Sequence, residues 1–343
     1  MENQTEAMEQ GIGRLKERLA AGVEKAVIIP HISPDGDAVG SCSALAEALR
    51  LAGIRWELLT CDYIPDYLRF LKNIRCVISH QDKPDVCRQL IEEADVIFML
   101  DHNTVGREGE LEKYVAASKA EKVIIDHHPD PDEQAIVISA PWLSSTCELL
   151  YTVIVRVWGK EAVNADMANA LYTGINTDTG GLNHNCSRPE TYRIIAELLE
   201  AGLDKAFVHE NIYQMNHLSR LRLIGYSLLK KLKVDKRYPV AIIPIEKEEL
   251  ERYYYKDGDL EGLVNIPLSM RNVSVSIQIT ERKDRVKLSF RSKRDIPVNE
   301  WAKEWFNGGG HLNAAGGQMD LPLEEVVKRV RETMPLFFER FVK

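Results

Sequence analysis

The stretch AVIIPHISPDGDAVGS, residues 26–41, decides how this chain reads. Residues 26–30 are uninterruptedly apolar, which predicts a buried strand. His31, Asp35 and Asp37 follow in a loop that also holds Pro34 and Gly36, residues that permit a sharp turn. A helix is expected from about Val39, because Ala44, Leu45, Ala48, Leu49 and Ala52 recur at helical spacing. This order sets the two carboxylates and the imidazole just beyond the carboxyl end of a strand, where open α/β sheets bind ligands. A plain acidic turn with Asp37 as helix cap would account for Asp-Gly-Asp alone. Capping gives no reason for His31.

Outward from this stretch, further strand-like runs appear at 56–60 (WELLT), 76–79 (CVIS), 95–100 (DVIFML), 122–126 (KVIID) and 135–139 (AIVIS). Helical patterns lie between most of them. Apolar strands separated by helices imply a largely parallel sheet covered on both faces. From 144 to about 230 the pattern is helical, with Met167, Ala170, Leu171, Gly174 and Ile175 on one stripe and further helices expected over 193–203 and 218–232. After about 235, VAIIPI, VSVSIQIT and RVKLSFRS alternate like half-buried strands, and a last helix is expected over 322–337. The expected fold is α/β. An N-terminal parallel-sheet domain with helices on both faces spans 1–220, and a connecting helix spans 221–235. A smaller C-terminal α/β domain with a mixed sheet spans 236–343, with a cleft between the two domains.

Composition sets the class. The chain has 343 residues, 45% hydrophobic and 28% charged, with a net charge of −8. That balance fits a globular protein of two domains and argues against a binder of long duplex DNA. No run is apolar enough to span a membrane, and the polar start MENQTEAMEQ is not a secretory signal. Six scattered cysteines without Cys-x-x-Cys spacing suggest reduced thiols, hence a cytoplasmic location. Apolar helices between 190 and 230 would suit a homodimer.

Two more strands end on ionisable residues: Asp101-His102-Asn103 and Asp126-His127-His128. Gathering several buried carboxylates without a cation would be costly and would force some to protonate. Divalent ions resolve that conflict. Adjacent histidines in an extended strand point to opposite sides, so one of His127 and His128 is the expected ligand for a given metal pair. Asp178 lies between two threonines, with Gly174, Gly180 and Gly181 nearby, which suits close approach to a metal or phosphate or, equally, a capping turn. Near the other end, Arg291 and Ser292 close a strand-like run, and Gly308, Gly309, Gly310 and His311 follow. A triple glycine permits an anion-binding nest, and a helix starting after His311 would add its positive end.

Together these segments resemble the DHH phosphoesterase family, named for the Asp-His-His found here at 126–128. The resemblance covers nearly the whole chain, including a C-terminal DHH-associated domain with Gly-Gly-Gly-His at 308–311. Length and domain order are most similar to the nanoRNase / adenosine 3′,5′-bisphosphate phosphatase branch. The resemblance implies two divalent metals, most often manganese. His31 and Asp35 would hold one ion, Asp37, His127 and Asp178 the other, and Asp101 would bridge. It also implies a substrate-facing His128 oriented by Asp126, and a phosphate grip from Arg291 and His311. Ser41, Ser145 and Thr146 match polar positions of the family's cleft. The implied substrates are short RNA, linear dinucleotides or adenosine 3′,5′-bisphosphate. A polyphosphate hydrolase and a catalytically silent nucleotide-binding regulator are the competing readings. One departure stands out: many relatives have Phe-Arg soon after Thr-Asp-Thr-Gly, where this chain has Gly181-Leu182-Asn183-His184.

Overall fold

A computed structural model describes residues 2–103, 107–129, 131 and 135–342. Two compact units meet in sequence at Met215 and Asn216.

The first unit is built on six strands: β1 (Lys25–Pro30), β2 (Arg55–Thr60), β3 (Ile78–Ser79), β4 (Val96–Leu100), β5 (Glu121–Asp126) and β6 (Ile136–Ser139). They lie in the order β3-β2-β1-β4-β5-β6, with every neighbouring pair parallel. Strand order reverses between β1 and β4, so the crevice beyond their carboxyl ends is the topological switch point. Among the described residues, eight α-helices accompany the sheet: α1 (Glu2–Ala20), α2 (Gly36–Leu51), α3 (Pro84–Glu92), α4 (Glu112–Ala117), α5 (Thr146–Trp158), α6 (Ala165–Asp178), α7 (Pro189–Glu200) and α8 (Lys205–His209). Alternate strand residues feed opposite faces, as the period of two requires. Ile28, Phe98 and Ile125 bury against Leu15 of α1, Leu45 of α2, Leu150 of α5 and Leu171 of α6. Ile29, Met99 and Ile124 bury on the other side, against Ile91 of α3 and Val115 of α4.

Several boundaries differ from the sequence reading. Helix α2 starts at Gly36 rather than near Val39, because the Asp35 carboxylate caps it through the amides of Asp37 and Ala38, at 3.0 and 3.2 Å. Asp35 is therefore the cap, and Asp37 already lies in the first turn. Much of CVIS is not strand. Residues Lys72–Cys76 form a 3₁₀ turn, and Ile78–Ser79 alone pair with β2. Asp178 is the last residue of α6 rather than part of a loop after it. Helix α1 has no counterpart among the sequence expectations.

The second unit holds a mixed sheet of β7 (Lys233–Val234), β8 (Val240–Ile245), β9 (Val275–Glu281), β10 (Val286–Ser292), β11 (Gly309–His311) and β12 (Ala314–Met319). Its order is β11-β12-β10-β9-β8-β7, with only β8 and β9 parallel. Its helices are α9 (Leu218–Tyr226), α10 (Lys247–Arg252), α11 (Val298–Trp305) and α12 (Leu323–Phe341). Trp301 of α11 stacks on Phe337 of α12, centroids 4.5 Å apart, over the Phe290 face of the sheet. Leu223 of α9 buries with Ile243 and Ile245 of β8. Residues 221–235 are thus part of this unit's core and sheet edge, not a connector as expected, because their apolar side chains find a partner there.

The glycine run also differs. Gly309–His311 is strand β11, turning directly into β12, and no helix follows His311. A Cβ at Gly308 would stand 1.9 Å from the Gly316 carbonyl oxygen, so the close approach of the two chain segments demands glycine there. Among the described residues, no helix is long and apolar enough to cross a membrane.

Candidate metal centre

Three strand ends deliver the cluster. His31 follows β1, Asp101 follows β4, and Asp126 closes β5. The first turn of α2 adds Asp37, its cap adds Asp35, and the last turn of α6 adds Asp178.

Asp101 lies at the middle. His31 Nε2 is 3.5 Å from Asp101 Oδ2 and 4.0 Å from Asp35 Oδ1. On the other side, His127 Nε2 is 3.7 Å from Asp101 Oδ1, 3.8 Å from Asp37 Oδ2 and 3.4 Å from Asp178 Oδ2. Ligand atoms of His31, Asp35 and Asp101 lie within 4.8 Å of one another, and so do those of Asp37, Asp101 and His127. The two donor sets share Asp101.

The backbone at Asp101 is left-handed, with φ 62°. Aspartate is one of the few side chains found there with any frequency, yet the conformation still costs roughly 1–3 kcal/mol. Its amide donates to the Ile125 carbonyl at 3.1 Å, which holds the turn against β5.

The electrostatics call for a cation. Burial, and then the charges of Asp37 and Asp35, push the Asp101 carboxyl well above its ordinary range. Burial also raises Asp37, against the opposing pull of His127. Burial works to neutralise His127, but Asp178, Asp37 and Asp101 overcome it and raise the imidazole to about 9. Buried carboxylates that draw a positive charge onto a buried imidazole suit a site for divalent ions, and mixed oxygen and nitrogen donors fit that group.

Four of the ligand candidates, Asp37, Asp101, His31 and His127, are held from behind. Asp37 Oδ2 accepts the Thr146 amide at 2.6 Å and Asp37 Oδ1 the Cys147 amide at 2.9 Å, so the positive end of α5 steadies it. Thr146 Oγ1 donates to Asp101 Oδ1 at 2.9 Å. His31 Nδ1 lies 2.7 Å from the Ile32 carbonyl oxygen, and His127 Nδ1 3.4 Å from that of Leu143, which turns each Nε2 inward. Asp126 is fully buried and grips His128 twice, through the His128 amide at 2.9 Å and Nδ1 at 2.7 Å.

His127 and His128 do not diverge. Their ring centroids are 4.7 Å apart, and both rings approach Asp101. The strand has ended at Asp126, so the alternation of extended chain no longer governs them.

The matches to known families follow this division of the chain. A model of the DHH family N-terminal domain matches residues 25–175, and a DHHA1 domain model matches residues 238–339. The chain belongs to the DHH phosphoesterase family. It is accordingly a hydrolase. Among DHH relatives, it is 29% identical to the bifunctional oligoribonuclease and PAP phosphatase NrnA of Thermus thermophilus, covering 93% of this chain and 94% of that one. It is 25% identical to the enzyme of the same name from Bacillus subtilis, over 84% and 87% of the two chains. The crystal structure of an exopolyphosphatase-related protein from Bacteroides fragilis superposes with a TM-score of 0.88 at 39% identity, over 96% of this chain and 98% of that one.

Other DHH-motif neighbours take supporting positions. Ser41 is buried and donates to the Ala38 carbonyl. Ser145 caps α5 by accepting the Glu148 amide at 3.0 Å. His102 lies behind the cluster, fully buried, with Nε2 3.3 Å from the Ile29 carbonyl oxygen. In the segment that departs from many relatives, Gly180, Gly181 and Leu182 all have positive φ, and the Asn183 and His184 amides both donate to Thr179 O.

On the second unit, Arg291 of β10 pairs with Ser276 and Ala314, and its guanidinium donates to the Phe290 carbonyl at 3.0 Å. His311 ends β11. Ser292 is buried, donates to the Ile296 carbonyl and accepts from Asn313 Nδ2, bonds that shape the turn after β10.

Sequence reasoning placed Gly174 near Asp178 but missed what it packs against: an added Cβ would stand 2.5 Å from Asp37 Oδ1 and 2.2 Å from Cys147 Sγ. It also missed the amides of Thr146 and Cys147. The pattern Ser145-x-x-Glu148, a helix-start signature, was the available signal for them.

Proposed function

We propose that this chain hydrolyses phosphoester bonds in short oligoribonucleotides, linear dinucleotides and adenosine 3′,5′-bisphosphate, using two divalent cations with manganese foremost. The observation that carries the reading is the shared carboxylate: Asp101 belongs to both donor sets. His31 and Asp35 complete one set. Asp37, His127 and Asp178 complete the other. Bound there, such cations supply a water activated as nucleophile and neutralise charge on the phosphate. The protein's own part is positioning and proton handling. The bond from Asp126 to His128 Nδ1 makes Nε2 the nitrogen that passes a proton to the leaving oxygen. Arg291 and His311 provide donors suited to a phosphate. Relatives named as oligoribonuclease and PAP phosphatase over nearly their full length support this substrate class.

One panel with manganese tests it: a five-nucleotide RNA, a linear diadenylate, adenosine 3′,5′-bisphosphate and polyphosphate. Turnover of the first three is expected. Turnover of polyphosphate alone would transfer the reading to a polyphosphatase, the activity that the Bacteroides fragilis protein is named for its relation to.

A further inference from the structure

Beside the cluster, at the carboxyl ends of β2 and β3, the first unit holds a cavity of about 440 Å³. That size lies within the range of small-molecule sites, roughly 300–1,000 Å³. Beside Thr60, Val77, Ser79 and Asp82, its lining offers three kinds of group. Ile64 and Ile74, both nearly buried, make an apolar floor. Tyr63 stands half exposed at the cavity, its hydroxyl donated to Asp82 Oδ1 at 2.8 Å, which fixes the ring. Arg69 and Arg75 add positive charge. Arg69 is paired with Asp66 at 3.3 Å, whereas Arg75 has no acidic partner among the described residues.

The cavity adjoins the catalytic loop. Strand β2 is the direct neighbour of β1, so Thr60 lies about one strand spacing, ~4.8 Å, from the chain entering His31. Asp62 ties the two together: its Oδ2 accepts the Ser33 amide at 2.6 Å, and its carbonyl accepts the Thr60 hydroxyl at 2.8 Å. An aromatic ring, an apolar floor and an unpaired guanidinium are the parts that recognise a base and its phosphate.

We propose that this cavity is a subsite for a second nucleotide of the substrate, the unit adjoining the bond that is cleaved. Its base lies against Tyr63 and the floor, and its phosphate meets Arg75. The proposal rests on the oligoribonucleotide reading above and assigns the preference for more than one nucleotide to this edge of the first unit.

The test is the ratio of kcat/KM for a linear diadenylate to that for adenosine 3′,5′-bisphosphate. Arg75→Ala and Tyr63→Ala are each expected to lower that ratio about ten-fold, through KM for the dinucleotide, in line with loss of one charged contact or one stacking platform. Tyr63→Phe, which keeps the ring, should retain most of the ratio. Arg237→Ala, on the second unit, serves as a charge-loss control. A ratio unchanged in Arg75→Ala and Tyr63→Ala, or an equal loss on both substrates, overturns the subsite. If the wild-type protein hydrolyses neither substrate, the proposed function fails, and calorimetric binding of the diadenylate decides the cavity separately. Binding weakened about ten-fold by Arg75→Ala would uphold it, and absent or unaltered binding would overturn it.

Discussion

Thr146 Oγ1 donates to Asp101 Oδ1 across 2.9 Å, joining the first turn of α5 to the residue that both donor sets share. The contact acts on the shared carboxylate without supplying a ligand atom. Thr146→Val keeps the shape and removes the hydroxyl. Metal affinity, read by titration with manganese, is expected to fall about ten-fold or more with the fold intact, the usual effect of losing a partner behind a ligand. Unaltered affinity would show that Asp101 does not depend on the Thr146 hydroxyl.

Asp101 itself carries two costs, a left-handed backbone and a carboxylate crowded by Asp37 and Asp35. Asp101→Asn tolerates the backbone and deletes the charge. Activity should drop to background while the melting temperature of the metal-free protein rises. Asp101→Ala should lose activity equally and keep the fold by circular dichroism. Near-normal turnover of either variant with manganese present would remove Asp101 from its central role.

Gly174 is where α6 presses on Asp37. A methyl group there meets Cys147 Sγ and Asp37 Oδ1 well inside contact distance. Gly174→Ala is expected to destabilise the protein by about 1–3 kcal/mol and to weaken metal binding at the same time. Gly13→Ala, in α1, meets nothing within 4 Å and should gain up to about 1 kcal/mol from helix propensity. Urea unfolding of the pair checks both signs.

Away from the site, Glu47 is a buried carboxylate braced by Arg50, with bonds of 2.8 and 2.9 Å, and by Asn164 at 2.8 Å. The Arg50 bonds foremost, against the cost of burial, bring it from 4.5 down to about 2. A depressed carboxyl stabilises the fold above its unfolded value and loses that contribution as pH falls through the folded one. The window is therefore pH 4.5 down to about 2. Allowing for solvent around the half-exposed Arg50, the contribution is about 1–3 kcal/mol. Glu47→Gln should be less stable than wild type by that amount at pH 7, and the gap should close across the window. A gap that is the same at both ends would mean that charge plays no part.

Much of the site was legible in order along the chain. His31, Asp35, Asp37, Asp101, Asp126, His127, His128 and Asp178 stand out because polar, metal-binding side chains end or follow apolar runs, and a parallel sheet gathers strand ends at one edge. The convergence of both histidines on Asp101 was not legible, since it depends on the chain leaving the strand at Asp126. The fate of the triple glycine was hidden for a related reason. Glycine permits both a nest and a tight hairpin, and only the Gly316 carbonyl facing Gly308 selects the hairpin.

By itself, the sequence determined the α/β class, the parallel sheet of the first unit, the set of candidate ligands and the family, because each rests on local patterns of apolar and ionisable residues. Tertiary structure alone decided that both histidine rings approach Asp101, that α5 amides steady Asp37, that Gly174 must lack a side chain, and that residues 221–235 join the second core. These depend on distances between residues up to about a hundred positions apart in the chain, which packing sets and no local pattern encodes.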